Sequence, residues 1–534
     1  MSEMSHKEQP THPSDSKKRT QTTLELTGEG LTIEQIWAVA HKQCKVMISR
    51  SSIQKMQESR DYIDRRINSG EVMDGVNTGF GAFSSVRSSD QEIEDLQRNL
   101  IRSHCVGVGE PFTPEQTRAI LLLRANALSR GHSGIRPLVV EKILEALDKD
   151  ILPVIPSQGS VGASGDLAPL SHLALALIGE GDVWDLESDQ KFIAAKDLMR
   201  QKKMEPLVLK AKEGLSLING CQVMTAVGAL AAYKARQYLW LTDVASSISL
   251  EALLGSRKAF DPLIPQTRAH PGEAKTARNL LKILGDDSPI GESHIDCSKV
   301  QDAYSLRCIP AVHGAAKDAL NYVWRVLETE ANSSTDNPLV FATENKVLSC
   351  GNFHGEPVAM AMDFAGMAIS VIANISECRI EKLINPAMSG LPAFLTPNGG
   401  LHSGHMIVQV AAASLVSENK ILAHPACVDS IPTSADKEDH VSMGTIAARK
   451  FQQILGNAEK VLAMELLSAT QAIDFLQPLK PAAGVLAAYN FIRQQVPFAK
   501  EDRIFSKDIQ AIQSMITSEE LMSVVAAAVG ELEM

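Results

Sequence analysis

Aromatic residues are scarce in this 534-residue chain: Phe, Trp and Tyr together make up 4% of it. The core must therefore be built from Leu, Ile, Val, Met and Ala, a composition suited to closely packed helices. Positive charge is not in excess either, with 52 Lys and Arg against 63 Asp and Glu and a net charge of −11. Phosphate binding wants clustered cations on a basic face, so nucleic acid is not an expected partner and small-molecule chemistry is. The eight cysteines include no C-x-x-C pair, which argues against a zinc knuckle or a compact disulfide framework and fits a reduced, cytosolic compartment. No apolar stretch follows Met1, and residues 2–23 are polar, as in a disordered tail. The most apolar later run, residues 358–375, is interrupted by Asp363 and Asn374, which are costly in lipid. A buried bundle helix is expected there, not a membrane span.

What is present is helical periodicity. Thr32 stands three residues before Gln35 in a capping-box pattern that opens a first short helix, and Ile53, Met56, Ile63 and Ile67 recur at helical spacing before Asn68-Ser69-Gly70 stops a second. Apolar spacing predicts further helices over 93–103, 114–129 and 137–147, with a glycine-rich loop over 74–85. A loop over 152–165 feeds a helix that carries Pro169 in its first turn and Gly179 near its end. Beyond Asn219 the helices lengthen, over roughly 221–254, 311–330, 357–384, 404–420 and 444–474, and no internal repeat of fixed period is seen. The resulting expectation is a mainly α chain: a disordered tail over 1–28, an N-terminal domain over 29–225 and a C-terminal domain of long helices over 226–534.

The segment GSVGASGDLAPLSH, residues 159–172, sets Gly159, Gly162 and Gly165 around Ser164. An ordinary serine here caps the helix that begins near Asp166. A hydrolase nucleophile is excluded, because no G-x-S-x-G elbow surrounds it and no strand precedes it. The neighbouring NTGFGAFSS likewise lacks the third glycine and βαβ setting of a nucleotide fingerprint. Another chemistry is open to Ala163-Ser164-Gly165. Glycine reaches backbone conformations closed to other residues, so its amide nitrogen can fold back onto the Ala163 carbonyl and close a five-membered ring with loss of water. A second dehydration, at Ser164, leaves an exocyclic methylidene and turns a poor nucleophile into an electrophile.

The segment resembles the prosthetic-group loop of the aromatic amino-acid ammonia-lyases and aminomutases, which make a 4-methylidene-imidazol-5-one from Ala-Ser-Gly. GVNTGFG (75–81), LINGCQ (217–222), QDAYSLRC (301–308), NSSTDNPLV (332–340), GNFHGEP (351–357) and EDHVSMG (438–444) resemble the same family in the same order, over roughly residues 30–500. The resemblance implies a long-helix bundle of the fumarase/aspartase-like type, a homotetramer whose sites draw on three subunits, and an internally formed prosthetic group with no metal or diffusible cofactor. Family members differ at the pair occupied here by Ser103-His104, and the histidine-specific branch carries Ser-His. L-histidine is therefore the implied substrate and trans-urocanate the implied product. A histidine can hydrogen-bond an imidazole, whereas an apolar pair would leave its nitrogens unsatisfied.

The same resemblance implies roles for further residues, each of which alone would be read as ordinary packing or surface. Met406 and Glu438 lie around the substrate ring, with Glu438 able to take a proton; Arg307 offers a fork to the substrate carboxylate. Asn219 and Gln301 bring neutral amides suited to polarising the ring oxygen, Tyr304 a hydroxyl and Phe353 a packing face. One position departs from the pattern: lyases of the family carry Tyr just before the GVNTGFG loop, regarded as the β-proton base, and this chain has Asp74. A weakened enzyme is the expected consequence, unless Glu438 or Tyr304 acts as base. A histidine 2,3-aminomutase shares the cofactor and is the competing enzymatic reading; a non-catalytic scaffold is the competing reading of another class, opposed by the intact Ala163-Ser164-Gly165.

Overall fold

Capping chemistry sets where the N-terminal helices begin. In the computed structural model, which describes residues 22–70, 73, 76, 93–296 and 299–534, the Thr32 hydroxyl accepts from Gln35 N and Gln35 Oε1 accepts from Thr32 N, opening helix Ile33–Ala40. Thr113 and Gln116 repeat the box ahead of Pro114–Ser129, with proline at the first helical position where its missing N–H is no loss. Helices Arg50–Asn68, Ile93–His104 and Pro137–Asp148 lie where the periodicity puts them.

The expected disordered tail over 1–28 is corrected at its end. Thr22–Leu26 is a strand, paired in parallel with Cys44–Ile48 in the register Thr22↔Cys44. Leu26 is buried in the core and Leu24 packs against it, so the alternation of a half-buried strand is present in a stretch too short and polar to stand out.

Helices Gln222–Ala252, Ile309–Ala331, Glu356–Ile384, Met406–Leu422 and Gly444–Asp474 form the bundle predicted from the long apolar segments. Gly444–Asp474 packs chiefly on Glu356–Ile384 and Gln222–Ala252. Glu356–Ile384 is long and apolar enough to cross a membrane, yet most of its apolar window is buried inside the molecule. Its Asp363 bonds Lys450 at 2.9 Å and accepts from the backbone N–H groups of Ala426 and Cys427. That contact anchors the start of a segment that reaches the site described below. Elsewhere Gly272 and Gly314 let helices Pro271–Leu284 and Ile309–Ala331 touch through their backbones: a Cβ on Gly272 would lie 2.1 Å from Gly314 O.

The interior carries paired charge, Arg379 on Glu465 at 2.6 Å and Asp243 between His313 and Lys317, all fully buried. Removing one partner leaves a buried unpaired charge, at a cost of about 3–5 kcal/mol. Glu251 is a different case. It accepts from Ser288 Oγ and from Ala482 N at 3.1 Å with no salt bridge among the described residues, and burial, only partly offset by these donors and by Arg257, pushes its carboxyl pKa up to about 7 from 4.5. The native chain therefore holds this proton where the unfolded chain has released it. The group's contribution is fully present below pH 4.5 and is lost as pH rises through about 7, amounting to about 3 kcal/mol at most. Glu251→Gln, which cannot ionise, is expected to narrow the gap between melting temperatures at pH 5 and pH 8. An unchanged gap in calorimetry counts against this account.

Candidate active site

Asp166 organises the 159–166 loop. Its carboxylate is fully buried; Oδ1 accepts from Ser160 Oγ at 3.0 Å and from Thr445 Oγ1, and Oδ2 from Val223 N at 3.0 Å and Met224 N at 2.9 Å. Burial lifts its pKa, while these donors, two of them at the start of helix Gln222–Ala252, work in the opposite sense. The loop is thus tied to two bundle helices at once. Asp166, not Ser164, occupies the N-cap position of helix Leu167–Leu177, and its side chain reaches across the fold instead of capping that helix.

Gly165 forms a parallel bridge with Gly220, and Asp166 N donates to Gly220 O at 2.7 Å. With φ at +72° and a Cβ that would fall 2.2 Å from Gly220 O, position 165 admits only glycine. Ser164 is half-buried and its Oγ donates to Glu438 Oε1 at 2.9 Å. Glu438 is not a solvated cap: its Oε2 accepts from Thr433 Oγ1 at 2.8 Å and Ser434 Oγ at 2.9 Å, across a tight turn closed by backbone bonds between Thr433 and Glu438.

Phe353 and Asn219 come to the same place. Phe353 O accepts from Cys221 Sγ at 3.0 Å, next to Gly220. The following His354 accepts from Glu356 N on Nδ1 and so donates from Nε2 to His440 O at 3.2 Å, pinning the Phe353 loop to the strap that carries Glu438. His354, Glu356 and His440 are close enough to suggest a cation site, but both His354 ring nitrogens already serve backbone groups and that ring has no lone pair to offer. Asn219 Nδ2 donates to Asp336 Oδ1 at 3.4 Å and Asn337 O at 3.2 Å. Both its amide hydrogens are spent there, so the expected donation to a ring oxygen has no hydrogen left to make it.

His104 ends helix Ile93–His104, where Nδ1 donates to Leu100 O at 2.8 Å, which makes Nε2 an acceptor. Three residues on, Gly107 N donates to His172 Nε2 at 3.2 Å, and Gly107 Cα lies 3.4 Å from where a Cβ on Gly159 would be. Burial lowers the pKa of His172 and keeps it a neutral acceptor. The His104 segment is in this way laid along the start of the serine loop.

Gln301, Tyr304, Arg307 and Met406 are not tied to that loop by any hydrogen bond among the described residues. Tyr304 is 71% exposed, with the Arg307 guanidinium 5.1 Å from its ring centre on the short surface helix Tyr304–Arg307. Gln301 lines a separate cavity of about 500 Å³, and Met406 begins its own helix. Asp74 and nearly all of GVNTGFG lie outside the described residues. The sequence reading missed Asp166, Thr445, Arg124, Lys212 and Asp336. Arg124 Nη1 donates to Asn219 O at 2.9 Å and to Gln222 Oε1 at 2.5 Å, with burial bringing its pKa down to about 10. A cation inside the apolar run LLLRANAL was the available signal.

The chain that carries this geometry is similar over nearly its whole length to known proteins. Histidine ammonia-lyase of Myxococcus xanthus (strain DK1622) is 48% identical over 503 residues, covering 94% of this chain and 98% of the relative. Histidine ammonia-lyase of Alkaliphilus oremlandii (strain OhILAs) is 49% identical over 505 residues, covering 94% and 98%. Among solved structures, histidine ammonia-lyase from Trypanosoma cruzi superposes with a TM-score of 0.89 at 42% identity, covering 96% of each chain. Tyrosine aminomutase from Streptomyces globisporus gives 0.90 at 34% identity, covering 96% of this chain and all of that one. The family model described as aromatic amino acid lyase matches residues 31–494, an interval that holds every described element of the site, and the chain belongs to that family.

Proposed function

We propose that the chain is a carbon–nitrogen lyase that eliminates ammonia from L-histidine to give trans-urocanate. The observation that carries this reading is the seating of Gly165, the last residue of Ala163-Ser164-Gly165, against Gly220, in a chain nearly half identical to histidine ammonia-lyases over 98% of their length. Gly165 sits where no side chain fits and the turn is held from both flanks, as closure of a methylidene-imidazolone from these three residues requires. Ala163, Ser164 and Gly165 would form that group, and the chemistry it would supply is an electrophilic carbon toward the substrate amine. The chain's own residues bind and orient. His104 Nε2 accepts from the imidazole N–H, Arg307 pairs with the carboxylate, and Phe353 and Met406 pack the ring. Glu438, beside Ser164, and Tyr304 are groups able to move a proton.

A homotetramer brings Gln301, Tyr304, Arg307 and Met406 to the site from neighbouring copies. The exposure of Tyr304 supports this, as does the apolar stripe Met360, Phe364, Met367 and Val371 along one side of helix Glu356–Ile384. The test is incubation with L-histidine, with urocanate followed by its ultraviolet absorbance and the products separated by chromatography. Urocanate and ammonia in equal amounts are expected. β-Histidine as the main product identifies an aminomutase instead, and no turnover of either kind removes the reading.

A further inference from the structure

Asn219 is 3% exposed, and acceptors on one side fix the sense of its amide. Asp336 Oδ1 and Asn337 O can only accept, so the NH2 group faces them and Oδ1 faces away. Oδ1 is buried and has no partner among the described residues. The orienting carboxylate is itself held: Asp336 Oδ2 accepts from Lys212 Nζ at 2.9 Å and Ser216 Oγ at 2.8 Å, and Oδ1 from Asn337 N at 2.7 Å. Lys212 and Asp336 are a fully buried ion pair, at 0% and 2% side-chain exposure. Arg124 fixes the Asn219 carbonyl as well.

Buried polar atoms are nearly always paired, so an orphan acceptor beside a reactive loop marks the place of an arriving donor. The next peptide, Gly220, is bridged to Gly165, the neighbour of Ser164, where the substrate amine must come. The imidazole N–H already has an acceptor in His104 Nε2. We propose that Asn219 Oδ1 accepts a hydrogen from the α-ammonium group of the substrate, and that Lys212 and Asp336 are positioning residues that hold the amide in that sense. This rests on the histidine-lyase reading and adds to it which substrate group Asn219 meets and what aims it.

The test is a binding measurement on the Ser164→Ala chain, which cannot form the electrophile and so binds L-histidine without consuming it. Calorimetric titrations compare L-histidine with 3-(imidazol-4-yl)propionate, which keeps the ring and the carboxylate and lacks the amine. Lys212→Met with Asp336→Leu removes the ion pair without leaving an unpaired charge, and Asn219→Leu removes Oδ1 without touching the pair. Each is expected to weaken L-histidine about tenfold to a hundredfold, the range for a hydrogen bond to a charged group, and to leave the propionate unchanged. Equal weakening of both ligands by Asn219→Leu, or of neither, overturns the inference while leaving the lyase reading intact. Failure of both ligands to bind the Ser164→Ala parent overturns the reading and the inference together.

Discussion

Ser164→Ala is expected to lower urocanate formation by on the order of 10³-fold or more while leaving the fold in place. The two effects separate because the loop does not depend on the hydroxyl. Its shape comes from the Asp166 carboxylate, with four donors on it, and from the Gly165–Gly220 bridge. Ser164 Oγ contributes one hydrogen bond, to Glu438, at the rim of the site. Losing that bond costs about 1 kcal/mol, a small change in melting temperature for a chain of this size. The chemistry loses everything that the serine becomes. Without a hydroxyl at position 164 there is no second water to expel and no methylidene to form. Mass spectrometry of the 159–172 peptide reads this independently of turnover: the native peptide is lighter than its encoded mass by two waters, and the alanine peptide by at most the one lost on ring closure. A Ser164→Ala chain that turns over histidine at the native rate refutes the prosthetic-group reading.

The sequence makes the long helices legible because each buries one stripe over many turns, and a 3.6-residue period repeated that often has no rival. The helix beginning at Gly444 and ending at Asp474 matches its predicted span for this reason. Strand Thr22–Leu26 is obscured because five residues give alternation only two chances to show, inside a polar tail. Within the site, Ser164, Asn219, Phe353 and Glu438 lie in stretches that resemble the family, and the fold brings them to one place. The pairing of Lys212 with Asp336 is different in kind, although Asp336 itself lies in the stretch NSSTDNPLV. Their pairing spans 124 positions of sequence, and nothing in either neighbourhood says that a buried lysine needs that particular aspartate. Asp166 was legible only as a helix-start residue, since a carboxylate that serves another helix's N-terminus looks the same in sequence as one that serves its own. Tyr304 is exposed, and no hydrogen bond among the described residues ties it or Arg307 to the serine loop, a separation that the stretch QDAYSLRC does not reveal.

Asp74→Tyr is expected to raise turnover of L-histidine, by up to roughly a thousandfold. A free carboxylate titrates near ~3.9 and a phenol near ~10, so aspartate in place of the family's tyrosine removes about 6 pK units of basicity, or about 8 kcal/mol of driving force for taking the β-proton. With the proton half transferred at the transition state, about 4 kcal/mol of that enters the barrier, on the order of 10³ in rate for the phenolate form, so the gain is realised to the extent that the site holds the tyrosine deprotonated. Aspartate is also shorter by a ring, and a base that does not reach the carbon-bound proton delivers none of its basicity. The gain should appear in kcat, with KM changed little, because a base that acts on a carbon-bound proton contributes in the transition state and not to ground-state binding. Initial rates of urocanate formation for the two chains side by side measure it. If the native chain already matches its tyrosine variant, the β-proton is taken elsewhere. Glu438→Gln and Tyr304→Phe then separate the two remaining candidates, Glu438 already bonded to Ser164 and Tyr304 on the surface helix, since only loss of the true base should lower kcat by a comparable factor.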